Sequence, residues 1–411
     1  MVDSKKRDYW VLSSFMFTLF ICYSFVYSMY AIWLSQAVKL SGTQVGIIFS
    51  MNAASAMFIQ PMLGYIQDKI KEKQYLLWLN IFVLMTVGAV FVYVLKPALL
   101  YNFYLGAVVG ALYMSFVFLA IAGAVETYIE RILRLNNMEF GSVRTWGSLG
   151  WAVSAFFSGQ LINIDPELNF WLSSVLAIVP MSILWFVKIE VPSNVQAHFN
   201  QSKKVTLADV ANLFKLKDFY YLMLYVFGVS SIYITYDQQF PVYFSSMFPT
   251  VEEGNSMYGY LNSAQVFLEA IFFFLAPWIV NRTGAKNGLI LAGSIMVLRI
   301  YGSSLVESLY LISAIKILHA IELPILMVSM FKYLNHNFDD RLSSTLYLVG
   351  FSLITQIGTI VLSPIAGAMY DAIGFQQSYV IMASVSAVFL LLSMKLLIGK
   401  KQELQRAMQF G

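Results

Sequence analysis

The chain has 411 residues, 59% of them hydrophobic and only 12% charged, with a formal net charge of +4. A soluble globular protein carries about 25% charged residues; the deficit here runs along the whole length, so water is not the main solvent for this surface. The single cysteine, Cys22, excludes an intrachain disulfide framework. The small basic excess is assigned to loops on one side of a membrane, not to nucleic-acid binding.

The start, Met1 to Arg7, is short and basic. The apolar run behind it is too long for a signal-peptide core and no small-residue cleavage site closes it, so it is expected to stay as a first span. Apolar runs then fall at 10–34, 43–65, 75–95, 102–125, 142–162, 168–187, 218–241, 256–280, 287–305, 309–331, 343–368 and 375–398. A hydrocarbon core about 30 Å thick needs about 20 apolar residues per helix. Lipid-exposed backbone must also satisfy its own hydrogen bonds, so the runs read as helices. The expected fold class is an all-α membrane protein with twelve transmembrane helices.

Loop charge orients them. Lys5, Lys6, Arg7, Lys69, Lys71, Lys73, Arg131, Arg134, Lys203, Lys204, Arg282, Lys286, Lys332 and Arg341 fall before run 1 or after even-numbered runs, whereas the opposite loops hold only Lys39 and Lys96. By the positive-inside rule both termini are cytoplasmic. The longest polar stretch, 189–217, divides the chain into six-span halves at 1–188 and 218–411. A short basic turn after run 2 (Gly64 to Lys69) is echoed after run 8 (Asn281 to Asn287).

An ionisable group at the bilayer centre costs about 2.5–3.5 kcal/mol on insertion scales. This chain nevertheless places Glu126 and Arg144 at the inner ends of spans 4 and 5, Asp237 in span 7, Glu269 in span 8 and Arg299 in span 9. Span 10 carries Lys316, His319 and Glu322. The set is nearly neutral, as pairing in a polar cavity requires. Lys316, His319 and Glu322 recur at i, i+3 and i+6, on one face of a helix. That stripe points to a proton relay more strongly than to a static ion-pair network. For Arg299 or Asp237 alone, a structural role is as good a reading, and Glu126 with Arg144 also fits a salt bridge at a loop end. The guanidinium of Arg144 is a planar fork suited to vicinal hydroxyls. Trp151, seven residues on, returns to its face as a candidate stacking platform, and Trp146 reads as packing or an interface anchor.

No G-x-x-x-x-G-K-[ST] phosphate loop, no G-x-S-x-G element and no His/Cys cluster of metal spacing occurs. No enzyme activity, metal or organic cofactor is therefore expected, and uphill work would draw on an ion gradient.

The chain resembles the oligosaccharide:proton symporters of the major facilitator superfamily, the lactose, raffinose and sucrose permeases. The likeness is carried by Ala31-Ile-Trp-Leu34, Gly64-x3-Asp68-Lys69, Gly123-Ala-Val-Glu126-x3-Glu130 and Glu139-Phe-Gly141-x2-Arg144. It continues in Tyr236-Asp237-Gln-Gln239, Lys316-x2-His319-x2-Glu322 and Phe331-Lys332-Tyr333. The resemblance implies two pseudo-symmetric six-helix bundles that work as a monomer. It also implies sugar contacts from Glu126, Arg144, Trp151, Gln265, Glu269 and His319. Glu322 is then the proton site and Arg299 its cationic partner. His319 links proton to sugar, and Tyr233, Asp237 and Lys316 complete the coupling network.

The chain departs from lactose permease at Ile234 and Thr355, where that relative has a second Asp–Lys pair. It departs again at Val266, where lactose permease has a sugar-binding Glu, and at Glu269, where it has an Asn. The superfamily's usual Gly in the loop after span 2 is here Lys71. Tyr260-Leu-Asn-Ser-x-Gln265-Val-x-Leu-Glu269, Leu318-His-Ala-Ile-Glu322 and Asp339-x-Arg341-Leu-Ser-Ser344 resemble sucrose permease, whereas Glu126 and Trp151 match the lactose and raffinose branch. The expectation is proton-coupled disaccharide import across a bacterial inner membrane, sucrose slightly ahead of galactosides such as lactose, melibiose or raffinose. A membrane sugar sensor that binds without translocating is the alternative of another class.

Overall fold

The structure, a computed structural model, describes residues 2–69, 74–121, 140–186, 215–338 and 347–399, together with 123, 125, 126, 129, 130, 133 and 138. Lys71, Lys73, Arg131, Arg134, most of the 189–217 stretch, Asp339, Arg341 and Ser344 lie outside the described residues. Every element among the described residues is helical.

Among the described residues, eight helices are long and apolar enough to cross a membrane, and a ninth candidate is the pair Leu77–Leu84 and Val87–Tyr101, bent by 47°. The twelve expected runs are accounted for by three further facts. Run 4 is the shorter apolar helix Phe103–Leu119. Run 5 is the 25-residue helix Phe140–Ile164, which carries Arg144 and several hydroxyls. Runs 11 and 12 are continuous across Gly374, whose φ of 78° is left-handed. Glycine alone takes that conformation without a Cβ clash, and it breaks the helical path there.

The labels used below are α1 (Val2–Tyr27), α2 (Gly42–Lys69), α3 (Phe140–Ile164), α4 (Ile232–Ser246), α5 (Val251–Thr283), α6 (Ala285–Leu305), α7 (Leu309–Ile317), α8 (His319–Asn337) and α9 (Ile354–Leu396). Two compact units are distinguished. One comprises Met1–Leu40, Met51–Lys203 and Phe248–Phe267; the other comprises Ser41–Ser50, Lys204–Met247 and Leu268–Gly411.

In the first unit α1 packs along α3. A Cβ on Gly150 would lie 2.1 Å from the Phe17 carbonyl oxygen, so only glycine lets these two backbones approach so closely. A ring cluster fills the adjoining core, with Phe91 stacked on Phe170 at 4.1 Å and Trp33 edge-on to Phe170 at 5.0 Å. Hydroxyls and amides inside this core are tied to backbone: Ser173 donates to the Cys22 carbonyl at 2.8 Å and Asn169 to the Ser158 carbonyl at 2.9 Å. In lipid-surrounded bundles such bonds hold helices where burial of apolar surface cannot. The first turns of α5 join this unit through Gln36 and Asn255, whose side-chain amides exchange two hydrogen bonds at 3.0 and 2.9 Å.

The second unit is built on α4, α6, α8 and α9, with a π-helical stretch, Val226–Ser231, leading into α4. Tyr236, Tyr243, Tyr370 and Tyr379 pack edge-to-face in its core. The start of α2 is capped from α9: the Gly42 and Thr43 N–H groups donate to the Asp371 carboxylate, both at 2.8 Å, and the Thr43 hydroxyl donates at 2.6 Å. A carboxylate there satisfies donors the helix cannot bond itself and meets the positive end of its dipole. Span 10 is broken. Leu318 separates α7 from α8, and its N–H reaches the Ile315 carbonyl in a tightened turn.

Candidate functional site

The intramembrane charges form two clusters, one within each unit. In the first, Arg144 on α3 pairs through Nε with Glu126 Oε1 at 2.9 Å, and its Nη1 donates to the Ser148 hydroxyl at 3.3 Å. Ser148 stands one turn along the same helix face. Both charged side chains are 35% exposed. A pair this wet is worth about 0–1 kcal/mol, so its groups can turn to a polar ligand at small cost. Arg144 also lies over the Phe20 ring, 4.2 Å from its centroid. Trp151 is stacked on Tyr27 at 6.2 Å, with Phe20 on another side at 6.4 Å. Gln265, buried on α5, has an Oε1 with no hydrogen-bond partner among the described residues. Trp146 donates from Nε1 to the Tyr9 hydroxyl at 3.2 Å and sits against Trp10, a packing role.

The second cluster gathers around Arg299, which is fully buried on α6. Its Nη1 donates to Glu322 Oε1 and to the Tyr233 hydroxyl. Its Nε donates to the Ile315 carbonyl at 3.0 Å, beside the tightened turn of span 10. Its Nη2 faces Asp237 Oδ1 at 3.5 Å. His319 Nδ1 lies 3.0 Å from Glu322 Oε1 and 3.2 Å from Arg299 Nη1, and it also meets the Tyr233 hydroxyl. One ring nitrogen cannot serve all three at once. Protonated it donates to Glu322; unprotonated it accepts from Arg299 or Tyr233. Glu322 is itself fully buried, and its Oε2 has no partner among the described residues. On the far side of the imidazole, Nε2 is 4.0 Å from Glu269 Oε2. Five side chains from four helices therefore connect Asp237 to Glu269 through Arg299, Glu322 and His319.

The polar stripe of span 10 faces a single network. Lys316 belongs to α7 and donates to Asp237 at 2.8 Å, while His319 and Glu322 belong to α8 and turn to Arg299. Arg299 and Lys316 balance Asp237 and Glu322, so this network is neutral without the Asp–Lys pair missing at Ile234 and Thr355. The Thr355 hydroxyl is buried and unpartnered among the described residues. Removing one member of a buried pair costs about 3–5 kcal/mol, whereas removing both together is close to neutral. Asp237→Asn, which strands the buried Lys316 ammonium, is therefore expected to lower the unfolding temperature in detergent. Asp237→Asn with Lys316→Met recovers most of the loss in the same measurement.

Phe20, Ser148 and Tyr236 were not singled out by the sequence. Ser148 was readable as the i+4 neighbour of Arg144. Tyr236, whose ring lies 5.8 Å from the Arg299 guanidinium, adjoins Asp237 in a motif already noted. Phe20 carried no distinguishing mark in a chain that is 16% aromatic.

Residues 1–409 match the family described as LacY proton/sugar symporter. The chain belongs to that family. It is 40% identical to the melibiose permease of Enterobacter cloacae, over 91% of this chain and 89% of the relative. It is 38% identical to the raffinose permease of Escherichia coli (93% and 90%) and 36% identical to the sucrose permease of Escherichia coli (98% and 97%). Among solved structures it is similar to the nucleoside transporter NupG, with a TM-score of 0.73 at 16% identity, covering 95% of this chain and 98% of that one. A bacterial homolog of the human lysosomal transporter Spinster gives a TM-score of 0.66 at 14% identity, over 94% and 96%. At these identities the structures speak to fold alone. The fold is the twelve-helix major facilitator fold, and the chain is a multi-pass membrane protein. It is a sugar permease of a proton symporter family, and its relatives are transporters and not enzymes.

Proposed function

We propose that this permease imports a disaccharide or small oligosaccharide together with a proton by alternating access. Its halves, 1–188 and 218–411, would be joined by the 189–217 loop, with that loop and both termini in the cytoplasm of a bacterial cell. The observation that carries the reading is the place of His319 between two carboxylates, 3.0 Å from Glu322 Oε1 and 4.0 Å from Glu269 Oε2. A carboxylate that gains or loses a proton there shares a side chain with one able to accept sugar hydroxyls. Glu322 is the proton site, Arg299 its charge partner, and Tyr233, Asp237 and Lys316 hold that partner in place. Glu126, Arg144, Trp151, Gln265, Glu269 and His319 bind the sugar, the fork and the orphaned Gln265 oxygen through hydrogen bonds and the indole by stacking. A transporter built this way needs the proton and sugar together to favour reorientation more than either alone.

Sucrose and the galactosides remain the two substrate classes. Gln265 and Glu269 lie in a stretch resembling sucrose permease, whereas the Glu126–Arg144 pair and Trp151 favour a galactoside, as does the identity to the melibiose and raffinose permeases. The experiment is sugar-induced alkalinisation of the medium by de-energised cells, with sucrose, melibiose, raffinose and lactose added in turn. The substrate raises external pH and the others leave it unchanged. Saturable sugar binding without alkalinisation, and without uptake into proteoliposomes under an imposed pH gradient, would favour the sensor and end the symporter reading.

A further inference from the structure

The face of α1 that carries Phe20, Tyr23 and Tyr27 (i, i+3, i+7) meets the face of α3 that carries Arg144, Gly147, Ser148 and Trp151 (i, i+3, i+4, i+7). Each set falls on one stripe of a 3.6-residue helix. The Phe20 ring is 7% exposed and touches both Arg144 and Trp151. Its centroid lies 4.2 Å from the Arg144 guanidinium carbon, inside the roughly 6 Å range of a cation–π contact. Its centroid lies 6.4 Å from that of the Trp151 indole with the planes at 55°, and 5.6 Å from that of Tyr23. Gly147 leaves the approach open: a Cβ there would come 3.1 Å from the Phe20 ring and 3.2 Å from Arg144 Nη1, wedging the two apart.

Hydrogen bonds at Nε and Nη1 hold the Arg144 fork within its plane. They do not fix the tilt of that plane. A ring packed beneath it does. We propose that Phe20 is a positioning residue for sugar recognition, setting the tilt of the Arg144 guanidinium and its spacing from the Trp151 indole. The proposal rests on the reading of Arg144 and Trp151 as sugar ligands and adds a residue of α1 that acts through them. It also accounts for a phenylalanine at this position, since an aliphatic side chain of similar bulk would fill the core and supply no π face.

The test is counterflow and uptake in proteoliposomes of the full chain, with sucrose, melibiose, raffinose and lactose as probes and the amount of folded transporter quantified in each preparation. Phe20→Leu is expected to raise the KM of the transported sugar about fivefold, the effect of losing a partly exposed cation–π contact, with the maximal rate per transporter within about twofold of the parent. Phe20→Tyr or Phe20→Trp, which keep the ring face, recovers a KM close to the parent's. An unchanged KM in Phe20→Leu overturns the proposal. So does a fall in maximal rate without a change in KM, or a raised KM that neither aromatic replacement recovers. Arg144→Lys with the parent's KM would instead refute the underlying sugar site, so the two failures are told apart.

Discussion

Glu322→Gln is expected to abolish sugar accumulation against a gradient while leaving sugar exchange across the membrane intact. Glutamine has the size of a protonated glutamate and keeps an oxygen for Arg299 Nη1 and for His319, the two partners of Oε1. It cannot release a proton. The variant is therefore fixed in the equivalent of the loaded state. Sugar can bind, the transporter can reorient with it, and sugar can leave on the other side. The step that is lost is the return of the empty, deprotonated form, on which net uphill flux depends. Exchange of labelled for unlabelled sugar should proceed near the parent rate, and the steady internal concentration should fall to that outside. Arg299 loses its charge partner inside a buried site, so some loss of thermal stability is expected as well. Asp237, 3.5 Å from Nη2, limits that loss. Accumulation that persists in Glu322→Gln would place the proton elsewhere.

The charges that build this second cluster were legible because charge is so costly in a membrane. Arg299 is the one charged residue of its run, Asp237 shares its run with Asp218 alone, Glu322 shares its run with Lys316 and His319, and each must find a partner. Their pairing was not legible from spacing alone. The i, i+3, i+6 pattern places Lys316 with His319 and Glu322. It does not show that Lys316 pairs with Asp237, or that at the tightened turn of Leu318 the Ile315 carbonyl accepts from Arg299 as well as from the Leu318 N–H. Helix ends were misjudged for a related reason. The apolar window of span 8 opens at 256, but α5 begins at Val251 because Glu252 and Glu253 are polar residues that favour the first turn of a helix. The π-helical stretches, such as Val226–Ser231, have no compositional mark at all. Phe20 was hidden differently. Its contact with Arg144 joins two distant stretches of chain, and a phenylalanine in a span faces lipid or core by default.

Arg144→Lys is expected to weaken sugar binding about 100-fold, on the basis of two lost charge-assisted hydrogen bonds at about 1.5 kcal/mol each. An ammonium keeps the charge and can still reach Glu126. It has no second nitrogen for Ser148 while it does so, no planar fork for vicinal hydroxyls, and no flat face to lie on Phe20. The exposed pair with Glu126 contributes little to stability, so the folded yield should stay close to the parent's. The functional pattern should differ in kind from that of Glu322→Gln. A lesion in sugar recognition removes exchange, counterflow and accumulation together, because all three begin with a bound sugar. A lesion in proton release removes only the uphill mode. Measured side by side in the same vesicles, the two variants separate the two clusters by function. If Arg144→Lys spared exchange and lost accumulation alone, Arg144 would belong with the proton machinery and the sugar site would have to be sought among other residues.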